Sequence, residues 1–293
     1  MSCRDQPDSR KFPEQGTTTM ASIEREGVQL HYTVTGSGPA IVLVHSFLAS
    51  SAMWEAQIAA LSREHKVITV DLRGHGASGP IEREISIYDL VDDVLAVLDA
   101  EGIERAAWAG LSIGGMISLR AALKAPERVT GLLLLDTHAG AERPLKKLRY
   151  HAMVLAARIF GIRPFLPQVL KLMFGRYTLT HNERLVEEWR NRLATVPFPT
   201  IARGVSALSR REALQSRLGD IKQPALVIVG KEDQALPPAY SRELAKLLPR
   251  ASLIEIPRSG HLSALEQPEA VTGAMLTFLG ELQSSPRSKA VAT

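Results

Sequence analysis

The sequence predicts an α/β domain, a mostly parallel central sheet flanked by helices, with a helical insertion late in the sheet. Three observations lead there. Short continuous apolar runs alternate with stretches of helical periodicity. Four of those runs stop abruptly, at His45, Asp71, Gly110 and Asp136. The alternation lapses between about residues 140 and 218, then resumes. A chain of 293 residues, 45% of them hydrophobic, suits one large domain with an insertion and a core of ordinary size.

In order, residues 28–34 read as an early strand, followed by the turn Gly36-Ser37-Gly38-Pro39. Residues 41–44 and 67–70 are buried strands. Ile87, Leu90, Val91, Val94, Leu95 and Leu98 recur at the spacing of one helix face. Residues 106–109 form a short strand running into Gly110, 116–123 a helix that stops before Pro126, and 132–135 a strand. Helical patterns broken by Pro144, Pro164, Pro167, Pro197 and Pro199 fill the insertion. Then come a strand at 225–229, a helix at 240–248, a strand at 252–256 and a helix at 268–282. The domain reading is a flexible tail at 1–21, a core of 22–139 and 219–283, a helical cap at 140–218 and a flexible tail at 284–293.

A net charge of +4 falls short of the density of a nucleic-acid binder. The excess is uneven: residues 139–215 hold 14 Lys/Arg against 5 Glu. A solvated helical surface explains this, and attraction of an anionic substrate or acidic carrier is the sharper alternative. The single Cys3 forms no internal disulfide and suits a reducing compartment. Cysteine ligands are absent and the eight His are scattered, so no metal site is expected. The polar residues 1–20 lack the apolar stretch of a secretion signal, and no run is long enough to span a bilayer. The expectation is a cytoplasmic protein with no stable membrane insertion. Nothing in the sequence signals an oligomeric state.

Gly110-Leu111-Ser112-Ile113-Gly114 matches G-x-S-x-G between a strand and a helix, and Gly115 follows. A serine on so sharp a turn points its hydroxyl into the cleft, and the flanking glycines let strand and helix approach. The helix N-terminus favours negative charge there. Ser112 is therefore the candidate nucleophile. An oxyanion formed beside it needs backbone N–H donors. Ile113 is the first candidate. The loop after 41–44, His45-Ser46-Phe47-Leu48, supplies the second, Phe47, with Ser46 able to add a hydroxyl. His45 reads as an anchor of that loop.

The base should follow the nucleophile, with the acid between them. His261, in Ser259-Gly260-His261-Leu262 after a strand, fits the base. The other His precede Ser112, belong to loops or turns, or fall in or near the insertion. Asp233, just after strand 225–229, fits the acid, with Asp136 and the adjacent Glu232 as rivals.

Together these residues resemble the α/β-hydrolase superfamily over almost all of residues 22–283. Asp71-Leu72-Arg73-Gly74-His75-Gly76-Ala77-Ser78 resembles its D-x-R-G-x-G-x-S turn, which implies a structural role, with Arg73 bonding loop carbonyls. Many members carry Gly where this chain has Ser46. The closer likeness is to 3-oxoadipate enol-lactonases. It rests on Val44-His45-Ser46 with Met53-Trp54, Gly102-Ile103-Glu104-Arg105, residues 110–115, Ala125-Pro126-Glu127-Arg128-Val129, and His261-Leu262 with Leu265-Glu266-Gln267-Pro268. Carboxylesterases and cofactor-free perhydrolases share most of these.

The resemblance implies hydrolysis of a small-molecule ester or lactone through an acyl-enzyme on Ser112, with no cofactor. A perhydrolase or haloperoxidase-like enzyme is the alternative, but Leu48 stands where such relatives tend to have Pro. A non-catalytic ligand-binding member is a further alternative, opposed by the intact Ser, Asp and His. A Rossmann dehydrogenase is excluded because no G-x-G-x-x-G follows a first strand. The insertion leaves the sheet at the carboxyl ends of its strands, so it is expected to cap the site. Its large residues Phe165, Phe174 and Trp189, with Ser46 and Met116 from the core, are the expected substrate pocket.

Overall fold

The computed structural model describes residues 18–284. Cys3 and most of the two expected tails lie outside them. Among the described residues, eight strands form one sheet in the order β1-β2-β4-β3-β5-β6-β7-β8. They are β1 (Thr18–Arg25), β2 (Val28–Thr35), β3 (Ala40–Val44), β4 (Lys66–Val70), β5 (Ala106–Leu111), β6 (Val129–Leu135), β7 (Ala225–Gly230) and β8 (Ala251–Ile256). β2 runs antiparallel to β1 and β4, and the other pairings are parallel.

β1 begins at Thr18, inside the stretch expected to be a tail. It is an edge strand of exposed and half-buried residues, so it has no apolar run to betray it. Glu26 and Gly27, both at positive φ (52° and 76°), turn it tightly into β2.

The sheet separates two apolar layers because side chains alternate along each strand. Val42 and Val44 of β3 and Trp108 of β5 pack on one face with Val91, Val94 and Leu98 of α2 (Ile87–Ala100). α3 (Ile113–Lys124) and α9 (Pro238–Leu247) complete that layer. Ile41, Leu43 and Ala109 pack on the other face with Leu61 of α1 (Glu55–Leu61) and Met275 and Leu279 of α11 (Pro268–Ser284). α2 opens with a capping box, in which Ser86 and Asp89 satisfy each other's backbone N–H groups. α1 has no counterpart in the sequence reading, since seven residues are too few to show a helical period.

Between β6 and β7 lie the cap helices α4 (Pro144–Phe160), α5 (Leu166–Met173), α6 (Arg176–His181), α7 (Glu183–Ala194) and α8 (Phe198–Arg210). The short helix α10 (Ser263–Glu266) precedes α11. No helix among the described residues is long and apolar enough to cross a membrane.

Candidate active site

Ser112 sits between β5 and α3 at φ 58°, ψ −112°, a conformation that L-residues avoid. Its backbone is held on both sides. The Ser112 N–H donates to the Leu135 carbonyl at 2.9 Å, and its own carbonyl accepts from Thr137 Oγ1 at 2.7 Å. The neighbouring glycines are steric necessities. A Cβ on Gly110 would lie 2.1 Å from the Gly114 carbonyl carbon, and one on Gly114 would lie 2.1 Å from the Val44 oxygen. One on Gly115 would strike Thr137 at 2.5 Å. The G-x-S-x-G spacing is what lets β3, β5 and α3 converge under one serine.

His261 lines the same cavity as Ser112. Its Nδ1 lies 2.8 Å from Asp233 Oδ2, and both side chains are buried. The other oxygen of Asp233 accepts the Leu236 N–H at 2.9 Å, which orients the carboxylate. Burial opposes a charge on His261. The Asp233 carboxylate, its hydrogen bond, and Asp136 and Glu266 beyond it more than offset this, and the imidazole pKa is raised above its ordinary 6.5.

The two rivals for the acid are engaged elsewhere. Asp136, fully buried, accepts the Gly230 N–H at 2.8 Å and both the N–H (3.2 Å) and hydroxyl (2.5 Å) of Ser263. Burial and the nearby Asp233 push its pKa well above the carboxylate range. Glu232 turns to the cap, where its Oε2 accepts the Tyr177 N–H at 2.9 Å.

The loop after β3 is pinned by two neutral histidines. His45 Nε2 accepts the Leu72 N–H at 2.9 Å, so its Nδ1 carries the proton that reaches the Ser46 carbonyl at 2.7 Å. His75 Nε2 accepts the Leu48 N–H at 3.3 Å and Nδ1 faces the Arg73 carbonyl at 3.1 Å. Burial, with His45 beside it, pushes the His75 pKa down to about 3. The Ser46 N–H is directed to Met53 Sδ at 3.3 Å. The N–H groups on either side of Phe47 are thus committed, and the Ile113 N–H lies in the first turn of α3, where helices leave donors free. Ser46 Oγ reaches the Phe47 carbonyl at 3.5 Å. Arg73 departs from expectation: it bonds no loop carbonyl, and its Nε donates instead to Asp93 of α2 at 2.6 Å. A buried guanidinium facing a buried carboxylate takes the bidentate partner.

Ser46, Phe47, Met116 and Phe165 line the cavity of about 180 Å³ that holds Ser112 and His261. Tyr150, Met153, Val154 and Ala157 of α4 and Ile201, Val205 and Leu208 of α8 form much of its roof. Phe174 and Trp189 are not part of it. Both are buried beneath the cap, in the apolar layer of Leu43 and Ile228. Phe174 terminates α5 and Trp189 lies on the inward face of α7, so their bulk seats the cap on the core. Among the described lining residues the one cation is Arg211, which pairs with Glu142 at 3.2 Å. No cluster of three or more His, Cys, Asp or Glu among the described residues is placed to hold a metal.

A family model described as alpha/beta hydrolase fold matches residues 39–268. The chain belongs to the α/β-hydrolase fold family. It is 31% identical to a putative carbamate hydrolase RutD of Azorhizobium caulinodans, over 86% of this chain and 96% of that one. It is 28% identical to 3-oxoadipate enol-lactonase 1 of Acinetobacter baylyi, over 88% and 96%. A thermophilic esterase of Thermogutta terrifontis, solved with malate bound, superposes with a TM-score of 0.86 at 28% identity, covering 91% of this chain and all of that one.

Two features of this α/β-hydrolase went unread in the sequence. Glu266 joins the His261 loop to the cap: Oε1 accepts from Gly260 N (2.8 Å) and Leu262 N (3.3 Å), Oε2 from Gly175 N (2.8 Å) and Thr178 Oγ1 (2.6 Å). The Met173 carbonyl adds bonds from the His261 and Leu262 N–H groups, at 3.0 and 3.1 Å. The sequence signal was a glutamate that closes the short stretch Leu262-Ser263-Ala264-Leu265. Gly204 of α8 makes room for the Phe47 ring, which a Cβ would meet at 2.1 Å. A glycine inside a helix was its signal.

Proposed function

We propose that the chain is a serine hydrolase cleaving carboxylic esters or lactones through an acyl-enzyme on Ser112. The observation that carries this reading is the meeting of a strained, cavity-lining Ser112 with a cavity-lining His261 whose other ring nitrogen is held by Asp233. His261 removes the Ser112 proton as Oγ attacks the carbonyl carbon. The N–H groups of Phe47 and Ile113 receive the oxyanion of the tetrahedral intermediate. The intermediate collapses, the C–O bond breaks, and the imidazolium returns its proton to the leaving alkoxide. Water, deprotonated by His261, then attacks the acyl-enzyme and Ser112 recovers its proton. Asp233 stabilises the imidazolium formed in each half.

The cavity is roofed by Tyr150, Met153 and aliphatic side chains, which favours a small apolar acyl group. The test is a panel of acetate, butyrate and octanoate p-nitrophenyl esters, an aliphatic lactone and a carbamate. Short esters or lactones should lead. Phe165→Ala and Met116→Ala should raise kcat/KM for longer acyl chains relative to acetate, each methylene accommodated counting for about 1–3 kcal/mol. An acyl profile unchanged in both folded variants would remove these residues from the specificity pocket. Turnover of the carbamate alone would move the reading toward the reaction named for the carbamate-hydrolase relative.

The rate should also follow the charge on His261. Only the neutral imidazole can accept the Ser112 proton, so kcat/KM should fall as pH drops through the histidine pKa. Because that pKa is raised, the rising limb should lie above pH 6.5. Asp233→Asn should shift what activity remains to lower pH. A profile flat from about pH 5 to 8 would exclude a histidine base.

A further inference from the structure

The outer face of α4 is apolar and open to solvent. Leu145, Leu148, Leu155, Ile159 and Phe160 are 72, 67, 61, 67 and 69% exposed. At 100° per residue the first four fall on one stripe, with Phe160 at its border. Nine large apolar side chains are exposed among the described residues, and five of them are these. That is a patch, not the scatter of single residues normal on a protein surface. The opposite face of the same helix is already used, since Tyr150, Met153 and Val154 line the cavity over Ser112.

The charge around the stripe has one sign. Residues 143–163 include six Lys/Arg and no Asp or Glu. Lys146 turns inward to the Ala235 carbonyl at 2.9 Å. Among the described residues no ion pair involves Lys147, Arg149, Arg158 or Arg163.

We propose that the outer face of α4 docks on an anionic lipid surface, with the helix lying in the plane of the interface. A stripe of leucine, isoleucine and phenylalanine flanked by unpaired cations is what the boundary between acyl chains and anionic headgroups selects. Charge alone would serve an acidic protein, but that partner leaves the aliphatic stripe without a role. A second copy packed on the stripe about a twofold axis would bring like cations together. Docking is peripheral, because no described helix can cross a membrane. It turns the helix that roofs the cavity toward the bilayer. The proposal concerns binding and does not depend on which reaction Ser112 performs.

The test is flotation of the full chain with vesicles of phosphatidylcholine alone or mixed with phosphatidylglycerol. Partitioning should be about tenfold or more stronger on the anionic vesicles, and should weaken as salt is raised. The variant Leu148→Ser/Leu155→Ser/Ile159→Ser should lose about tenfold or more of that binding. Lys147→Ser/Arg158→Ser should lose a comparable factor, with the circular dichroism of both variants unchanged. Leu148, Leu155, Arg158 and Ile159 are exposed and Lys147 is half-buried, so these variants keep the core. Equal partitioning on both vesicle types, no partitioning, or full binding by the triple variant would overturn the proposal. So would a dimer in sedimentation equilibrium that the triple variant dissolves, which would assign the stripe to a second copy. Binding to an acidic protein without binding to lipid would overturn it as well.

Discussion

Ser112→Ala should lower kcat for ester hydrolysis by about 10⁴ or more while the protein stays folded. In free energy that is ~5.4 kcal/mol of lost transition-state stabilisation. The substitution removes one oxygen and leaves the surroundings intact. The Ser112 backbone is fixed by Leu135 and Thr137, and the glycines at 110, 114 and 115 still allow the turn. Alanine meets the same strain at φ 58° as serine does, so melting temperature should change little. Residual rate over water should persist, since the substitution leaves the proposed oxyanion donors, the N–H groups of Phe47 and Ile113, in place. Near-full esterase activity in the folded variant would refute the assignment of the nucleophile.

The second large effect separates two buried aspartates. Asp233→Asn should cost roughly 10⁴ in kcat, because an amide facing His261 Nδ1 favours the wrong tautomer and removes the charge that stabilises the imidazolium. Asp136→Asn should cost far less in rate. Asp136 bonds Gly230 and Ser263, and among the described residues its hydrogen bonds do not include the imidazole, so its loss should show in stability. Disturbing that hydrogen-bonded site should cost roughly 1–3 kcal/mol. The reversed pattern, a small rate loss at Asp233 and a large one at Asp136, would transfer the role of the acid to the end of β6.

That pair also marks how far the sequence could be read. Both aspartates follow parallel strands on the carboxyl side of the sheet, and chain order places both between Ser112 and His261. Only the fold reveals that Asp136 turns under β7 and α10 while Asp233 faces the imidazole. Most of the parallel strands were legible because they are continuous apolar runs, with β8 (ASLIEI) the alternating exception at the sheet edge, and the elbow was legible because its glycines are sterically required. β1 was not, because an edge strand buries too little to need apolar residues. Phe174 and Trp189 were correctly legible as large apolar residues of the cap. Periodicity says that such a residue is buried, not against what, and they pack against the core instead of the cavity. The role of Glu266 was hidden for a related reason. Its four partners come from two segments far apart in the chain, at Gly175 and Thr178 and at Gly260 and Leu262, and no local pattern encodes that convergence.

The central claim is that Ser112 is a nucleophile activated by His261. A fluorophosphonate probe tests it most directly, because its phosphorus is attacked by an activated serine oxygen and the adduct is stable to intact-mass and peptide analysis. The account predicts a single adduct on Ser112, absent in Ser112→Ala and formed far more slowly in His261→Ala. A folded protein that forms no adduct, or one that carries it on another residue, would contradict the account.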